Sequence, residues 1–157
     1  ETRADTVVNG LETLSGGAVF PASGSDWVMV HDAARPFVDP ADIRKLRDEV
    51  LSAGHGAILA MPMADTVKEA SPDRRILATR DRKSLWRAAT PQAFRLSELL
   101  SALRRGTEGV TDESSAMERT GHPVSVVPGS TLNFKITTPD DALIAEAIAE
   151  SRLRKHP

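Results

Sequence analysis

The sequence predicts an α/β fold with a mostly parallel sheet and a projecting β-hairpin. Two short apolar segments, residues 27–31 and 57–61, do not alternate polar with apolar residues, which is typical of strands buried on both faces. A helix is predicted between them, and strand, helix and strand within about 35 residues form a βαβ unit. We therefore expect these two strands to form a parallel pair with a right-handed crossover.

The helices follow from apolar periodicity and from capping residues. Apolar residues at helical spacing between Val7 and Leu14 predict a helix over residues 2–14. Asp39 as N-cap and Pro40 at the first helical position predict the start of the helix between the two strands. Further helices are predicted at residues 96–105, at 112–120 and from 138 onward, and short extended segments at 124–127 and 133–137.

The segment between residues 65 and 82 predicts the hairpin. Residues 65–70 and 76–82 are mostly polar strand candidates on either side of a turn-rich linker. An isolated hairpin is only marginally stable in water, so this arm requires a partner surface. The arm at residues 65–82 is expected to be part of a single domain that spans residues 1–157.

Composition excludes several classes of function. The chain has 157 residues with 20 Lys and Arg against 22 Asp and Glu, so we expect neither a nucleic acid nor a membrane as partner. The absence of Cys excludes disulfides, thiol nucleophiles and zinc–thiolate sites. No apolar run approaches the roughly 20 residues of a membrane span, and we expect a soluble cytoplasmic protein.

The most informative motif, HDAARP at residues 31–36, directly follows a predicted buried strand. Ligands of open α/β sheets bind beyond the carboxyl ends of the strands. Asp32 could therefore face a metal ion or a hydroxyl group, and Arg35 a phosphate. A loop with a local ion pair between Asp32 and Arg35 explains the same residues.

Three other segments place polar residues at the carboxyl edge of the predicted sheet. Thr66 follows the second strand and Thr90 lies in a predicted loop, although each is also compatible with simple capping. The acidic and hydroxyl residues from Thr111 onward fit helix capping or a binding role. Lys135 lies in a short apolar strand and should face an anion or a carboxylate, because burying an unpaired ammonium is costly. Asp, Arg, Thr and Lys at strand ends suit a phosphate-bearing substrate with a divalent cation.

These segments, taken in order, resemble the 2-C-methyl-D-erythritol 4-phosphate cytidylyltransferases of the non-mevalonate isoprenoid pathway. Cytidylyltransferases that act on ribitol phosphate share several of the motifs and are the alternative. The resemblance implies a Rossmann-like, glycosyltransferase-A-like nucleotidyltransferase fold. It also implies CTP as co-substrate and Mg²⁺ bridging the triphosphate. The segments are RADTV at 3–7, VHDAARP at 30–36, DTVK at 65–68, LWRAATPQ at 85–92, TDESSA at 111–116 and NFKIT at 133–137.

The resemblance also implies roles for individual residues. Lys135 would hold the substrate phosphate against the α-phosphate of CTP, and Asp32 would lie by the ribose, the metal and the substrate hydroxyls. Thr6 would lie near the cytosine and Ala33 near the ribose. Lys135, Asp32 and Arg82 are thus the implied catalytic residues.

The methylerythritol site would be lined by Arg35, Thr90 and Thr111. Thr66 and Arg82 lie at the two ends of the hairpin. In the family this arm crosses to the neighbouring subunit, so both residues would complete the partner's site. The resemblance therefore implies a homodimer formed by arm exchange.

One family feature is missing from this sequence. Family members begin with a strand and a Gly-rich loop that wraps the triphosphate, and no such segment precedes the RADTV motif. We therefore expect the domain to be N-terminally incomplete and these 157 residues to be inactive alone. A non-catalytic remnant or binding module is the alternative from a different class.

Overall fold

The computed structural model describes residues 2–17, 21–106 and 109–155. Helices and strands follow one another along the chain, with a short 3₁₀ turn at Arg82–Ser84. The elements are α1 (Arg3–Gly16), β1 (Trp27–Val30), α2 (Pro40–Ala53), β2 (Gly56–Pro62), β3 (Val67–Ala70), β4 (Ile76–Arg80), β5 (Trp86–Arg95), α3 (Leu96–Arg104), α4 (Glu113–Arg119), β6 (Val124–Pro128) and α5 (Pro139–Lys155).

The central sheet has the strand order β1-β5-β2-β6. β5 runs antiparallel to both β1 and β2, and β2 runs parallel to β6, so three of the four strands share one direction. This confirms the α/β class with a mostly parallel sheet. The predicted pairing of β1 with β2 is wrong, because β5 lies between them. Local patterns predict that a strand is buried but do not show which strand lies beside it.

β5 is the largest correction to the predicted elements. The prediction of a loop at residues 90–92 is wrong, although these residues include Pro91 and proline is rarely found inside a central strand. In the structure they lie in the middle of the ten-residue strand Trp86–Arg95, and residues 89–94 are buried. The pairing with β2 is interrupted between Ile58 and Ala60, opposite Pro91. The missing N–H of Pro91 therefore costs no ladder hydrogen bond.

Helices cover both faces of the sheet. On one face, Leu99 of α3 and Met117 of α4 pack against Ile58 and Phe94. On the other face, Leu46 and Val50 of α2 pack against Leu59, Ala93 and Val127. Neighbouring residues of β2 thus serve opposite cores, which explains why this strand shows no polar alternation.

The predicted helix caps are confirmed where they bear on the site. Asp39 accepts a hydrogen bond from Ala41 N–H at 2.7 Å, and Gly54 ends α2 with φ +73°. Residues 133–137 differ from the prediction, because they join neither sheet. This extended segment is held instead by a hydrogen bond from Ile136 N–H to Ala34 O at 2.9 Å. Lys135 is therefore placed beside the HDAARP turn by a connecting segment.

The predicted hairpin is confirmed as a sheet of its own. β3 and β4 pair antiparallel with Val67 opposite Arg80, and they form a two-stranded sheet separate from the central one. Ile76 and Leu77 on β4 expose 66% and 64% of their surface, so the arm carries apolar side chains that this chain leaves uncovered. None of the helices in the described part of the chain combines the length and apolarity that a membrane span requires.

Candidate functional site

Two adjoining cavities of about 300 and 270 Å³ open beyond the carboxyl end of β1. Arg3, Asp32 and Lys135 line both cavities and so form the wall between them. Seven of the nine predicted site residues line one or both cavities. They are Thr6 and Ala33 in the first, Arg35, Thr90 and Thr111 in the second, and Asp32 and Lys135 in both.

Asp32 is the centre of the cleft, and three cations surround its carboxylate. Oδ1 lies 3.0 Å from Arg3 Nη2, and Oδ2 lies 3.2 Å from Lys135 Nζ and 3.7 Å from Arg35 Nε. Burial by itself would raise the pKa of Asp32. Hydrogen bonds from Lys135 and Arg3 outweigh that effect and lower the pKa below its usual value. Asp32 is therefore an ionised anchor for three positive side chains.

The pair of Arg3 and Glu113 was missed in the sequence. Arg3 Nη1 and Nη2 donate to the two oxygens of Glu113 at 2.7 and 3.0 Å, and the Glu113 side chain is only 1% exposed. Hydrogen bonding to Glu113 raises the pKa of Arg3, although burial opposes it. Glu113 follows the capping residue Asp112, and a Glu at this position normally reads as part of a cap. What distinguishes Glu113 from an ordinary capping residue is its burial, and the sequence pattern does not show burial.

The local ion pair with Asp32, one of the two interpretations of Arg35, is present in the structure. The Nη1 of Arg35 donates to the backbone oxygen of Asn133 at 2.9 Å. Burial lowers the pKa of Arg35, an effect that Asp32 opposes. Its Nε is buried and makes no hydrogen bond. A buried donor of this kind is costly, and an anion in the second cavity is one group that could satisfy it.

Thr90 connects β5 to the turn after β1. Its hydroxyl oxygen accepts a hydrogen bond from Asp32 N–H at 2.9 Å and lies 3.0 Å from His31 Nδ1. Its backbone oxygen accepts a hydrogen bond from Asn133 Nδ2 at 2.8 Å. The central position of β5 therefore holds both the HDAARP turn and the segment that carries Lys135.

Gln92 holds the start of α4 in place through hydrogen bonds, as Thr90 holds the HDAARP turn. Gln92 is 1% exposed; its Nε2 donates to Asp112 Oδ2 at 2.8 Å, and its Oε1 accepts from Ser114 N–H at 2.9 Å. Asp112 is the N-cap of α4, which confirms the capping interpretation of the segment that begins at Thr111. Burial would raise the pKa of Asp112, but the hydrogen bond from Gln92 and those from Ser114 and Ser115 lower it. Thr111 reaches the second cavity because Gln92 fixes this helix start.

A sequence model of the 2-C-methyl-D-erythritol 4-phosphate cytidylyltransferases (IspD) matches residues 1–151. A relative of that name from Paraburkholderia phymatum is 47% identical over 152 residues, covering 94% of this chain and 63% of its own length. One from Nitrosomonas eutropha is 42% identical over 151 residues, covering 96% and 64%. A crystal structure of 4-diphosphocytidyl-2C-methyl-D-erythritol synthase superimposes with a TM-score of 0.85 at 39% identity, covering 95% of this chain and 68% of that one.

The chain belongs to this cytidylyltransferase family. The nucleotidyltransferase fold expected from the sequence is confirmed by the structural match. The chain spans 63% and 64% of the two curated relatives' lengths. The activity of a whole family protein is therefore a proposal for this one.

Two residues implied by the family resemblance, Thr66 and Arg82, line neither cavity. They lie at the base of the hairpin, before β3 and after β4. The Arg82 guanidinium donates a hydrogen bond to Ala64 O, which holds the two ends of the arm together. Thr66 and Arg82 therefore do not contribute to the cleft of their own chain.

The described residues do not fit a metal centre made of protein ligands alone. Residues 2–17, 21–106 and 109–155 contain no group of three or more His, Cys, Asp or Glu that could hold a metal ion. Both oxygens of Asp32, the predicted metal contact, already face cations. A metal ion at Asp32 would therefore compete with Arg3 and Lys135 for the carboxylate.

Proposed function

We propose that the protein to which this chain belongs transfers a cytidylyl group from CTP to 2-C-methyl-D-erythritol 4-phosphate, giving CDP-methylerythritol and pyrophosphate. One observation carries the proposal: the cationic cluster around Asp32 stands between two adjoining cavities, on residues that match a cytidylyltransferase family. A reaction that joins two phosphate-bearing substrates needs two neighbouring pockets with positive charge between them.

In the proposed reaction, a phosphate oxygen of the alcohol phosphate attacks the α-phosphorus of CTP. A new P–O bond forms as the bond to the β-phosphate breaks, and pyrophosphate leaves with the electron pair. Such chemistry depends on positioning and on charge stabilisation, so the protein needs no covalent nucleophile. The cleft residues supply positive charge beside the attacking and transferred groups.

Lys135 is the cation best suited to reach a reacting phosphate. Arg3 is held from its other side by Glu113, and Arg35 is largely buried and bonded to Asn133. Lys135 contacts Asp32 through a single ammonium group, and its side chain is 42% exposed. It can therefore exchange Asp32 for a substrate phosphate while the two arginines remain in place.

The remaining roles follow from the two cavities. We assign Thr6 and Ala33 in the first cavity to the cytidine part of CTP. We assign Arg35, Thr90 and Thr111 in the second to the methylerythritol phosphate. Both assignments rest on the positions of these side chains around Asp32 and Lys135.

The hairpin is proposed to carry Thr66 and Arg82 into the cleft of a second copy, forming a homodimer by arm exchange. Its separate sheet and the exposed Ile76 and Leu77 support this proposal, because an isolated polar hairpin has little stability of its own. Mg²⁺ held by the phosphates of CTP and a cytoplasmic location, both expected from the sequence, stay predictions.

The deciding experiment uses this chain joined to the N-terminal Gly-rich segment that family members carry, called the longer protein below, and assays it with CTP and each of two alcohol phosphates. Turnover with methylerythritol phosphate that exceeds turnover with ribitol phosphate supports the proposal, and the reverse preference supports the related cytidylyltransferase. The Lys135→Ala variant should lower kcat by roughly 100-fold, the usual effect of removing one charge-stabilising donor.

Two controls complete that assay. Arg47→Ala also removes a cation, but from an exposed pair with Asp48 on α2, and it should leave kcat unchanged. Near-normal activity of Lys135→Ala would remove Lys135 from the mechanism. Assaying the 157-residue chain beside the longer protein tests the expectation that this chain alone is inactive, and no turnover by either would favour the non-catalytic binding module.

A further inference from the structure

The imidazole of His31 has hydrogen-bond partners at both ring nitrogens. Nε2 lies 3.0 Å from the backbone oxygen of Arg35, and Nδ1 lies 3.0 Å from the hydroxyl oxygen of Thr90. The same hydroxyl oxygen accepts a hydrogen bond from Asp32 N–H at 2.9 Å. His31 therefore closes the turn that carries Asp32 and Arg35 and also contacts the second cavity through Thr90.

These partners determine where each hydrogen lies. A carbonyl oxygen can only accept, so Nε2 must carry the ring hydrogen and donate it to Arg35 O. A neutral imidazole has one N–H, and Nδ1 is consequently an acceptor. The only hydrogen available between Nδ1 and Thr90 Oγ1 is that of the hydroxyl, so Thr90 donates to His31.

The orientation of this hydroxyl limits what Thr90 can offer to a ligand. Its single hydrogen is directed to His31, and one of its two lone pairs is taken by Asp32 N–H. Thr90 is 3% exposed and lines the second cavity, so the remaining lone pair is what the cavity can use. A fully ionised phosphate oxygen has no hydrogen to give to that lone pair, whereas an alcohol has one.

We propose that His31 is a positioning residue that fixes the hydroxyl hydrogen of Thr90, so that Thr90 accepts a hydrogen bond from an alcohol group of the substrate and does not bind its phosphate. This inference rests on the proposed function for the identity of the substrate, a polyol phosphate. In this arrangement, Thr90 binds a hydroxyl group on one side of the second cavity and Arg35 binds an anion on the other.

The hydrogen positions can be tested without any activity. We would record the side-chain ¹⁵N–¹H correlations of the histidines at about pH 8.5, where histidine side chains are usually neutral. His31 should carry its hydrogen on Nε2. His55 provides an internal control, because its Nδ1 lies 3.1 Å from Gly56 O and it should therefore show the opposite tautomer.

Two variants of Thr90 complete the spectroscopic test. Thr90→Ser keeps a hydroxyl and should leave the Nδ1 resonance of His31 unchanged, whereas Thr90→Val removes the donor and should shift it. A hydrogen on Nδ1 of His31, or a resonance that Thr90→Val leaves in place, would overturn the proposal. Both results are independent of whether the protein is a cytidylyltransferase.

Substitutions of His31 test the consequence for the substrate. An Asn side chain places its amide oxygen near Nδ1 and can still accept from Thr90, whereas Gln places its amide nitrogen near Nε2 and keeps only the bond to Arg35 O. In the longer protein, His31→Gln should raise the KM for methylerythritol phosphate about tenfold, which corresponds to about 1.4 kcal/mol. His31→Asn should raise it less than about threefold, since it keeps the acceptor that orients Thr90.

Each outcome of the kinetic test decides one point. Equal KM values for His31→Gln and His31→Asn with methylerythritol phosphate would show that His31 only supports the turn, and the proposal would fail. A wild-type protein inactive with every alcohol phosphate would refute the proposed function, while the tautomer would still decide the orientation of Thr90.

Discussion

Arg3 and Glu113, which lie 110 positions apart in the chain, form a bidentate ion pair at the edge of the cleft. The two N–O distances are 2.7 and 3.0 Å, and Glu113 is almost completely buried while Arg3 is partly exposed. The pair joins the start of α1 to the start of α4, and Arg3 reaches on to Asp32. It therefore connects three separate segments at the wall between the two cavities.

Replacing Glu113 should destabilise the fold more than breaking a surface pair. Glu113→Ala removes both acceptors of Arg3 and should lower the free energy of unfolding by roughly 1–3 kcal/mol. The matched control is Glu12→Ala, which breaks the pair of Glu12 with Arg104, whose side chains are 45% and 59% exposed. That control should cost at most about 1 kcal/mol. Urea unfolding of the 157-residue chain measures both, and equal losses would contradict a structural role for the buried pair.

Gly56 and Gly10 should respond in opposite ways to alanine. A Cβ at Gly56 would lie 2.2 Å from Cδ1 and 2.5 Å from Cε1 of the buried Phe94 ring, so Gly56→Ala must displace that ring. We expect a loss of about 1–3 kcal/mol. A Cβ at Gly10, in the middle of α1, would meet nothing within 4 Å, so Gly10→Ala should stabilise the chain by about 0.5–1 kcal/mol. Thermal unfolding of both variants checks this; a Gly56→Ala protein as stable as the wild type would show that the ring relaxes freely.

Arm exchange predicts complementation between two inactive variants. If Arg82 serves the partner's cleft, a mixed dimer of Arg82→Ala and Lys135→Ala subunits has one site with both defects and one intact site. Random pairing then restores about a quarter of the wild-type sites. The assay mixes the two unfolded variants of the longer protein, refolds them together and measures turnover. No gain over the separately refolded variants would place Arg82 in its own subunit's site or outside any site.

Asp141 should stabilise the start of α5 down to unusually low pH. Its Oδ2 accepts hydrogen bonds from Thr137 N–H and Oγ1 and from Thr138 N–H at 2.8 to 2.9 Å. The Thr137 backbone hydrogen bond is the largest of the contributions that lower its pKa to about 2. Since this pKa lies below that of an unfolded Asp, about 3.9, the contribution is present above about pH 4 and is lost between about pH 4 and pH 2.

A carboxyl ¹³C titration of Asp141 measures this directly. The stability difference between the wild type and Asp141→Asn should shrink as the pH falls through the same range. Asp140→Asn, one position earlier on the same helix, is the matched control, and its stability difference should be smaller at neutral pH. A pKa of Asp141 near 3.9 would contradict the hydrogen-bonded geometry.

The elements that could be predicted from sequence are those whose signals are local. Asp39 and Pro40 specify the start of α2, and the apolar stretch at residues 57–61 specifies a strand buried on both faces. The HDAARP turn and Lys135 were expected near one edge of the sheet, and the cleft contains both. Each of these predictions needs only the chemistry of a few neighbouring residues.

The parts that failed depend on contacts between distant segments. β5 carries a proline that argues against a central strand, and only the interrupted ladder opposite Ile58 and Ala60 makes it acceptable there. Glu113 resembles an ordinary capping residue until its burial against Arg3 is known.

The sequence by itself determined the fold class, most helix boundaries and the chemical types gathered at the cleft, because capping and apolar periodicity act within a few residues. The tertiary structure alone decided that β5 separates β1 from β2, that Glu113 pairs with Arg3 at the cleft, and that His31 lies within hydrogen-bonding distance of Thr90. Each of these depends on residues tens of positions apart being brought within hydrogen-bonding distance. Such distances are set by packing of the whole sheet and its helices, and no local pattern records them.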